Sequence, residues 1–130
     1  EVWLKDEGSE LRLNGVSVLD GKEQVHNFIR IHHEAPQCIS HQHFKNVVNG
    51  HARSSFDGTV IVNEGAQLTN SDQLINNLML SNDCHANNKP NLMIFADDVK
   101  CTHGVTIGQI DEDQWFCLQT RGLSAKAAKE

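Results

Sequence analysis

The amino-acid sequence predicts an all-β fold that is followed by a short helical segment. Up to residue 110 the apolar residues come in short runs of three to five positions, which are typical of strands. Turn-forming pairs such as Asp20-Gly21 and Asn49-Gly50 close many of these runs. A helical pattern with capping residues begins only at Asp111.

The strand candidates follow one another along the chain. They are Leu11 and Leu13, Val16 and Val18, Phe28 to Ile31, Val60 to Val62, Leu78 to Leu80, Leu92 to Ile94, and Val105 and Ile107. The predicted turns are Asn14-Gly15, Asp20-Gly21, Asn49-Gly50, Asp57-Gly58 and Glu64-Gly65. Each run is rich in β-branched residues or leucine, which favours strands in this context.

A near-repeat indicates that the strands form a β-solenoid. The segment Asn77-Leu-Met-Leu returns 14 residues later as Asn91-Leu-Met-Ile. In a parallel β-helix similar apolar triplets return once per coil, because each coil stacks on the preceding one at about 4.8 Å. Asparagine-rich corners fit as well, since asparagine tolerates the left-handed conformation. An antiparallel sandwich or roll remains an alternative, because it also has short strands at close intervals.

The residues after position 110 predict one helix and the start of another. Asp111 is a suitable N-cap, Gln114 follows three residues later as in a capping box, and Gly122 is a stop signal. Ser124 offers a second N-cap ahead of a run rich in alanine and lysine.

The predicted organisation is one domain with two parts. Residues 1–110 form a β-core, and residues 111–130 form the start of a helical segment. The chain begins with Glu1 instead of Met, and the second predicted helix runs out at Glu130. We therefore expect the sequence to be a slice of a longer protein.

Composition and charge exclude two classes of partner. The 130 residues include 11 Lys plus Arg and 17 Asp plus Glu, a net charge of −6, with no basic stripe for a phosphate backbone. Leu, Ile, Val and Phe make up about a quarter of the chain, which is enough for a core. No apolar run approaches the roughly 18 residues of a spanning helix. We expect neither nucleic acid nor a membrane as a partner.

The cysteines indicate a reducing compartment. Cys38, Cys84, Cys101 and Cys117 form no CxxC motif, which argues against zinc-ribbon and thioredoxin-like sites. Two disulfides are formally possible, but a domain of this size does not need them, and no glycosylation motif or secretory signal occurs. We expect reduced thiols and an intracellular protein.

One block of the sequence is specific enough to indicate a family. Residues 96–114 read Ala-Asp-Asp-Val-Lys-Cys-Thr-His-Gly-Val-Thr-Ile-Gly-Gln-Ile-Asp-Glu-Asp-Gln, followed by Phe116 and Arg121-Gly-Leu-Ser. This block closely resembles the SufB/SufD family, the scaffold proteins of the SUF iron-sulfur cluster assembly machinery, and the SufD branch is nearest. Further similar stretches bring the resemblance to essentially the whole chain; they are residues 40–45, 52–62, 65–67, 76–80 and 89–90.

The resemblance implies a right-handed parallel β-helix with a helical C-terminal segment, and a scaffold with no enzymatic activity. Family members pair, SufB with SufD, through the end of the β-helix, and each docks a SufC-type ATPase largely through the helical segment. The expected partners are therefore a SufB-like subunit or a second copy of the chain, and a SufC-type ATPase in the full-length protein. The implied location is the bacterial cytoplasm or the plastid stroma.

Three residues are candidate iron-sulfur ligands. Cys101 and His103 are two positions apart, so on a regular strand both side chains leave the same face. By resemblance, His103 matches a SufD histidine proposed as a cluster ligand at the SufB/SufD interface, and Cys101 matches the cysteine beside it. Cys84, six residues before Pro90, resembles a SufB cysteine important in cluster building, and thiolates are the main cluster ligands. The resemblance implies a transient iron-sulfur cluster; the alternative for all three is a structural role.

Two other functions fit parts of the sequence. A β-solenoid polysaccharide lyase or hydrolase would need paired carboxylates, for which Asp97-Asp98 and Asp111-Glu112-Asp113 are the candidates. The chain has no Tyr and only two Trp, which argues against a sugar-stacking surface. A cupin-like metal-binding protein would use His41, His43 and the segment His32-His33-Glu34, but no Glu follows His43 at the cupin spacing.

Overall fold

The computed structural model describes residues 1–128, in which eight parallel strands wind into a β-helix of about four coils. The strands are β1 (Val2–Leu4), β2 (Glu10–Leu19), β3 (Gln24–His33), β4 (Ile39–Val48), β5 (Arg53–Val62), β6 (Asn70–Met79), β7 (His85–Ile94) and β8 (Lys100–Gln109). One sheet has the order β1-β3-β5-β7 and the other β2-β4-β6-β8. Each coil thus contributes one strand to each sheet. The all-β prediction and the parallel β-helix are confirmed, and the antiparallel sandwich is excluded.

Each coil is about 30 residues long. In the even-numbered sheet Glu10 pairs with Ile39, and Ile39 pairs with Asn70 on the next coil. The near-repeat between Asn77 and Asn91 therefore spans half a coil and relates β6 to β7, which lie in different sheets. The expectation that this repeat marks one coil is wrong, because both strands of a coil carry a similar apolar triplet.

The strands β2 to β8 have ten residues each and not three to five. Their interior positions include polar side chains, so a search for apolar runs recovers only part of each strand. Three pairs of these buried polar side chains bond to each other between register positions of successive coils. The three pairs are Ser40 Oγ with Ser71 Oγ at 2.9 Å, Gln73 Nε2 with Gln42 Oε1 at 3.3 Å, and Asn46 Nδ2 with Asn77 Oδ1 at 2.9 Å.

Two glycines predicted at turns lie inside strands, Gly15 in β2 and Gly58 in β5. A Cβ atom at Gly15 would lie 2.4 Å from the ring of Phe44. A Cβ atom at Gly58 would lie 2.4 Å from the ring of Phe56 and 2.5 Å from Gln73 Nε2. The two rings contact each other in the core, with centroids 5.0 Å apart. The turn prediction is wrong at both positions, because glycine there makes room for a ring.

The corners confirm the other three predicted turns, at Asp20-Gly21, Asn49-Gly50 and Glu64-Gly65. Gly21 and Gly50 adopt left-handed conformations, with φ of 60° and 62°. The opposite corner places Gln37 and Leu68 in the same region, with φ of 59° and 60°. No asparagine among the described residues has positive φ. The expectation of asparagine in left-handed corner positions is therefore wrong.

The predicted first helix is confirmed as α1 (Glu112–Thr120). Asp111 is its N-cap, and the Asp111 side chain accepts a hydrogen bond from Gln114 N at 2.9 Å. The acidic residues of the first turn also suit the positive end of the helix dipole. No residue of α1 is buried, so the helix does not join the core of the β-helix.

Beyond α1 the described chain contains no second helix. Ser124 Oγ accepts a hydrogen bond from Ala127 N at 3.1 Å, as a cap would, but residues 125–128 form only a turn. The rest of the predicted second helix, residues 129–130, lies outside the described residues. Within residues 1–128 no helix is long and apolar enough to cross a membrane.

Replacing Gly58 with alanine tests the packing of the core rings. We expect the free energy of unfolding to fall by about 1 to 3 kcal/mol, because the new methyl group must displace the Phe56 ring. Gly65→Ala is the matched control, since nothing lies within 4 Å of its Cβ position. Urea unfolding followed by circular dichroism measures both variants. Equal midpoints would show that Gly58 has no packing role.

Candidate functional site at the last coil

The last described coil, formed by β7 and β8, leaves two strand edges unpaired. Within residues 1–128, β7 pairs only with β5 and β8 pairs only with β6. Interior-facing apolar side chains of β8 are exposed because no further described coil covers them; Val105 is 37% and Ile107 58% exposed. An unpaired apolar edge is where another strand can add. This end of the β-helix is therefore a candidate interaction surface.

Cys101 and His103 share the interior face of β8. The register pairs Cys101 with Ser71 and His103 with Gln73, and both partners are buried interior residues of β6. The structure thus brings the two candidate ligands together at the open end. Among residues 1–128, no three His, Cys, Asp or Glu side chains form a group that could hold a metal ion. A cluster or metal here would need further donors from outside these residues.

The two candidate ligands differ in their surroundings. Cys101 is partly buried against the hydrophobic cluster that includes Val62 and Ala96. This burial raises the pKa of the Cys101 thiol, and a hydrogen bond with the Ser71 backbone opposes the rise. The protonated thiol is therefore favoured at neutral pH. The ring of His103 is exposed and has no hydrogen-bond partner among the described residues.

Cys84 lies at the opposite end of the coil. It is buried in a hydrophobic cluster, and its thiol donates to the backbone oxygens of Val48 and Ser81 at 3.2 and 3.1 Å. Cys84 precedes β7, whereas Cys101 lies beyond the next corner, so the length of a ten-residue strand, about 30 Å, separates them. The structure does not bring Cys84 together with the other two candidates, and its role as a ligand stays a prediction.

The remaining histidines of the cupin-like alternative have separate partners. On the outer face of the even-numbered sheet, His41 pairs with Asp72, and His43 Nε2 bonds to Asn76 Oδ1 at 2.8 Å. In the other sheet the ring of His32 stacks on Trp3, with centroids 4.9 Å apart. These side chains do not converge on one centre, which argues against a mononuclear metal site.

The carboxylates of the polysaccharide alternative are too far apart to cooperate. Asp97 and Asp98 lie in the corner before β8, and residues 111–113 follow its end. The length of β8, about 30 Å, separates the two groups. The carboxyl groups of glycoside hydrolases lie about 5 to 10 Å apart. The geometry therefore argues against acid and base catalysis that combines one carboxylate from each group.

His33 is a buried titratable group that the sequence analysis treated only as part of a histidine pair. It is fully buried, and its Nε2 lies 2.9 Å from Ser40 Oγ, while Nδ1 lies 3.5 Å from Thr69 Oγ1. Desolvation lowers the pKa of His33 to about 4, so the ring is neutral at pH 7. Ser40 also bonds to Ser71 on the next coil, and Thr69 donates to the backbone oxygen of Ala66, so these contacts indicate a structural role.

Gln73 is the residue near the site that the sequence analysis missed. It is 1% exposed and is the register partner of His103, and its Oε1 atom has no hydrogen-bond partner. The signal that could have found it is the coil length of about 30 residues, which aligns the two positions. The 14-residue repeat concealed that length.

Comparison with known proteins matches the chain to one family over its whole length. The family model described as "SUF system FeS cluster assembly, SufBD core domain" matches residues 1–130. An iron-sulfur cluster assembly SufBD family protein of Synechocystis is 38% identical over 126 residues, which cover 95% of this chain and 27% of that protein. The iron-sulfur cluster assembly protein SufD of Escherichia coli is 35% identical over 127 residues, which cover 98% of this chain and 30% of that protein. The chloroplastic protein ABCI7 of Arabidopsis thaliana is 42% identical over 106 residues, which cover 81% of this chain and 22% of that protein. The chain spans less than a third of the length of these relatives.

The buried His33 makes the stability of the fold depend on pH. Its folded-state pKa of about 4 lies below the usual 6.5, so the unfolded chain takes up a proton first as the pH falls. The contribution of the neutral His33 to the free energy of unfolding is fully present above about pH 6.5. It is lost as the pH falls towards 4, which lowers the free energy of unfolding by up to roughly 3 kcal/mol. His33→Gln should flatten this part of the profile measured by urea unfolding, whereas His26→Gln, at an exposed site, should not. Parallel profiles for the wild type and His33→Gln would contradict a buried neutral histidine.

Proposed function

Because the chain belongs to the SUF-system SufBD core family, we propose that it is part of a non-enzymatic scaffold subunit for iron-sulfur cluster assembly. The names of the Synechocystis and Escherichia coli relatives support this function. The observation that carries the proposal is the last coil, where Cys101 and His103 lie on one face beside two unpaired strand edges. A scaffold for cluster assembly needs donor atoms that lie next to a surface for a partner.

The proposed partner surface is the unpaired edge of the last coil. Besides Val105 and Ile107, the end of β7 exposes Met93 and Ile94, at 49% and 40%, and Phe95 beyond it is 59% exposed. Apolar residues along an unpaired edge favour strand addition by a partner over contact with water. The partner is a SufB-like subunit or a second copy of this chain, paired through the β-helix.

The proposed cargo is a transient iron-sulfur cluster at that interface. Cys101 as a thiolate and His103 as a neutral imidazole are donor types that hold iron in such clusters. Two donors from this chain leave the remaining positions to the partner. Since burial favours the protonated thiol of Cys101, binding of iron there must displace a proton and strengthens as the pH rises.

The helical segment provides the proposed contact with a SufC-type ATPase in the full-length protein. The described part of that segment exposes Phe116 and Leu118, at 66% and 41%. These two exposed side chains are available to another surface. The contact would couple the ATPase to the subunit that holds the cluster.

The proposed location is the bacterial cytoplasm or the plastid stroma. The relatives include a protein of Escherichia coli and a chloroplastic protein of Arabidopsis thaliana. All four cysteines are free in the structure, as is usual in a reducing compartment. Both locations keep thiols available as cluster ligands.

The pairing proposal is tested by the oligomeric state. We expect a dimer, or a complex with a SufB-like protein, at tens of micromolar. Ile107→Lys should weaken association about tenfold or more, because it adds a charge to the unpaired apolar edge. Val16→Lys is the matched control, since Val16 is also an exposed aliphatic residue but lies in β2, at the other end of the stack. Analytical ultracentrifugation measures both. A monomer that also ignores the SufB-like protein, or equal weakening by both variants, would refute pairing through this edge.

Anaerobic reconstitution with iron and sulfide tests the ligands. We expect the paired protein to gain iron-sulfur absorbance, which His103→Ala removes and Cys101→Ala reduces. His26→Ala, at an exposed site in β3, is the control and should leave the absorbance unchanged. Cys84→Ala separately tests the third candidate. Absorbance that survives both His103→Ala and Cys101→Ala would overturn the ligand assignment.

A further inference from the structure

Gln73 offers a buried hydrogen-bond acceptor that nothing in the described structure uses. Its side chain is 1% exposed, and its Oε1 atom has no partner. Its Nε2 atom donates to Gln42 Oε1, one coil earlier, at 3.3 Å. The nitrogen and oxygen of a planar carboxamide diverge by about 120°. A nitrogen directed to the preceding coil therefore leaves the oxygen for the following coil.

The side chains of the two interior glutamines point the same way along the stack of coils. Gln42 Oε1 accepts a hydrogen bond from the following coil. Gln42 Nε2 has no partner, since the register partner of Gln42 on the preceding coil is the apolar Leu13. The adjacent row shows how such a row can be completed in the last coil. Asn46 donates to Asn77, and Asn77 Nδ2 donates to the backbone oxygen of Thr106 at 3.1 Å. The asparagine row thus ends on β8, whereas the glutamine row ends in an unused acceptor.

His103 is the next member of the glutamine row. The register of β6 and β8 pairs it with Gln73. Side-chain hydrogen bonds bridge one coil at three other interior register pairs, namely Ser40 with Ser71, Gln42 with Gln73 and Asn46 with Asn77. An imidazole N–H is a donor, which is what the unused acceptor requires. The His103 ring has no hydrogen-bond partner among the described residues, so its N–H is available to this acceptor.

We propose that Gln73 is a positioning residue for His103. Its Oε1 atom accepts a hydrogen bond from one ring nitrogen and so leaves the lone pair of the other nitrogen at the open end of the β-helix. This inference rests on the proposed role of His103 as a ligand for iron or an iron-sulfur cluster. A ligating histidine usually donates its other N–H to such a partner, which fixes its tautomer and makes it a better ligand. The bond also satisfies a buried acceptor that is otherwise costly.

Long-range ¹⁵N NMR of the metal-free chain at pH 8 tests the hydrogen bond itself. We expect His103 to hold a single tautomer in the wild type and a mixture in Gln73→Met, because methionine fills similar space but lacks the acceptor. Gln42→Met is the matched control: it removes an amide of the same row but not the acceptor of His103. If Gln73→Met does not fold, the wild-type spectrum alone still shows whether His103 holds a single tautomer. A mixture in the wild type, or one unchanged tautomer in folded Gln73→Met, would overturn the proposal.

Binding of Co²⁺ to the paired protein, with no other metal present and followed by its visible absorbance, tests the positioning role. We expect Gln73→Met to weaken Co²⁺ binding by about 10- to 100-fold. Gln42→Met should leave the Co²⁺ affinity unchanged, and Gln73→Glu, which keeps an acceptor, should restore the wild-type affinity. Equal affinity in the wild type and Gln73→Met would refute the positioning role. If the paired wild-type protein binds neither Co²⁺ nor iron while His103 keeps one tautomer, the proposed ligand function is refuted and the hydrogen bond stands.

Discussion

Parallel stacking at about 4.8 Å places every interior side chain against its own register partner one coil away. In a closed interior this spacing requires that a buried amide or hydroxyl meet another polar group, and the Ser40–Ser71 and Asn46–Asn77 pairs do so. The same spacing requires empty volume beside a large ring, which Gly15 supplies next to its register partner Phe44. The pairing of buried polar side chains between coils and the end of the glutamine row both follow from this constraint.

The features that the sequence predicted correctly depend on local chemistry. The turns at Gly21 and Gly50 and the cap at Asp111 can be recognised from neighbouring residues alone, and the structure contains all three. Local pattern left both a β-helix and a sandwich open, and the family resemblance favoured the first. The coil length and the packing role of Gly15 beside Phe44 escaped prediction, because both depend on residues about 30 positions apart.

In the candidate site, too, features set by neighbouring residues could be predicted from the sequence and features set by distant residues could not. The two-residue spacing of Cys101 and His103 fixes their common face on any strand, so the sequence alone could predict it. The placement of Cys84 at the far end of the coil could not be predicted, because it depends on which corner the residue occupies. Gln73 is likewise visible only through the register that pairs it with His103. Interior rows that stabilise the coils thus reach the same residues that the proposed scaffold function uses.

The constant length of the strands has a consequence for how such a chain can change over evolution. The strands β2 to β8 all have ten residues, while the distance between paired positions differs by a few residues from coil to coil, so the corners absorb every difference in length. Insertions in a corner leave the interior rows in register. A single residue inserted within β8 ahead of His103 would turn that side chain to the outer face and away from Gln73. Natural selection can therefore lengthen the corners freely, but has to preserve the residue count between a corner and each interior donor.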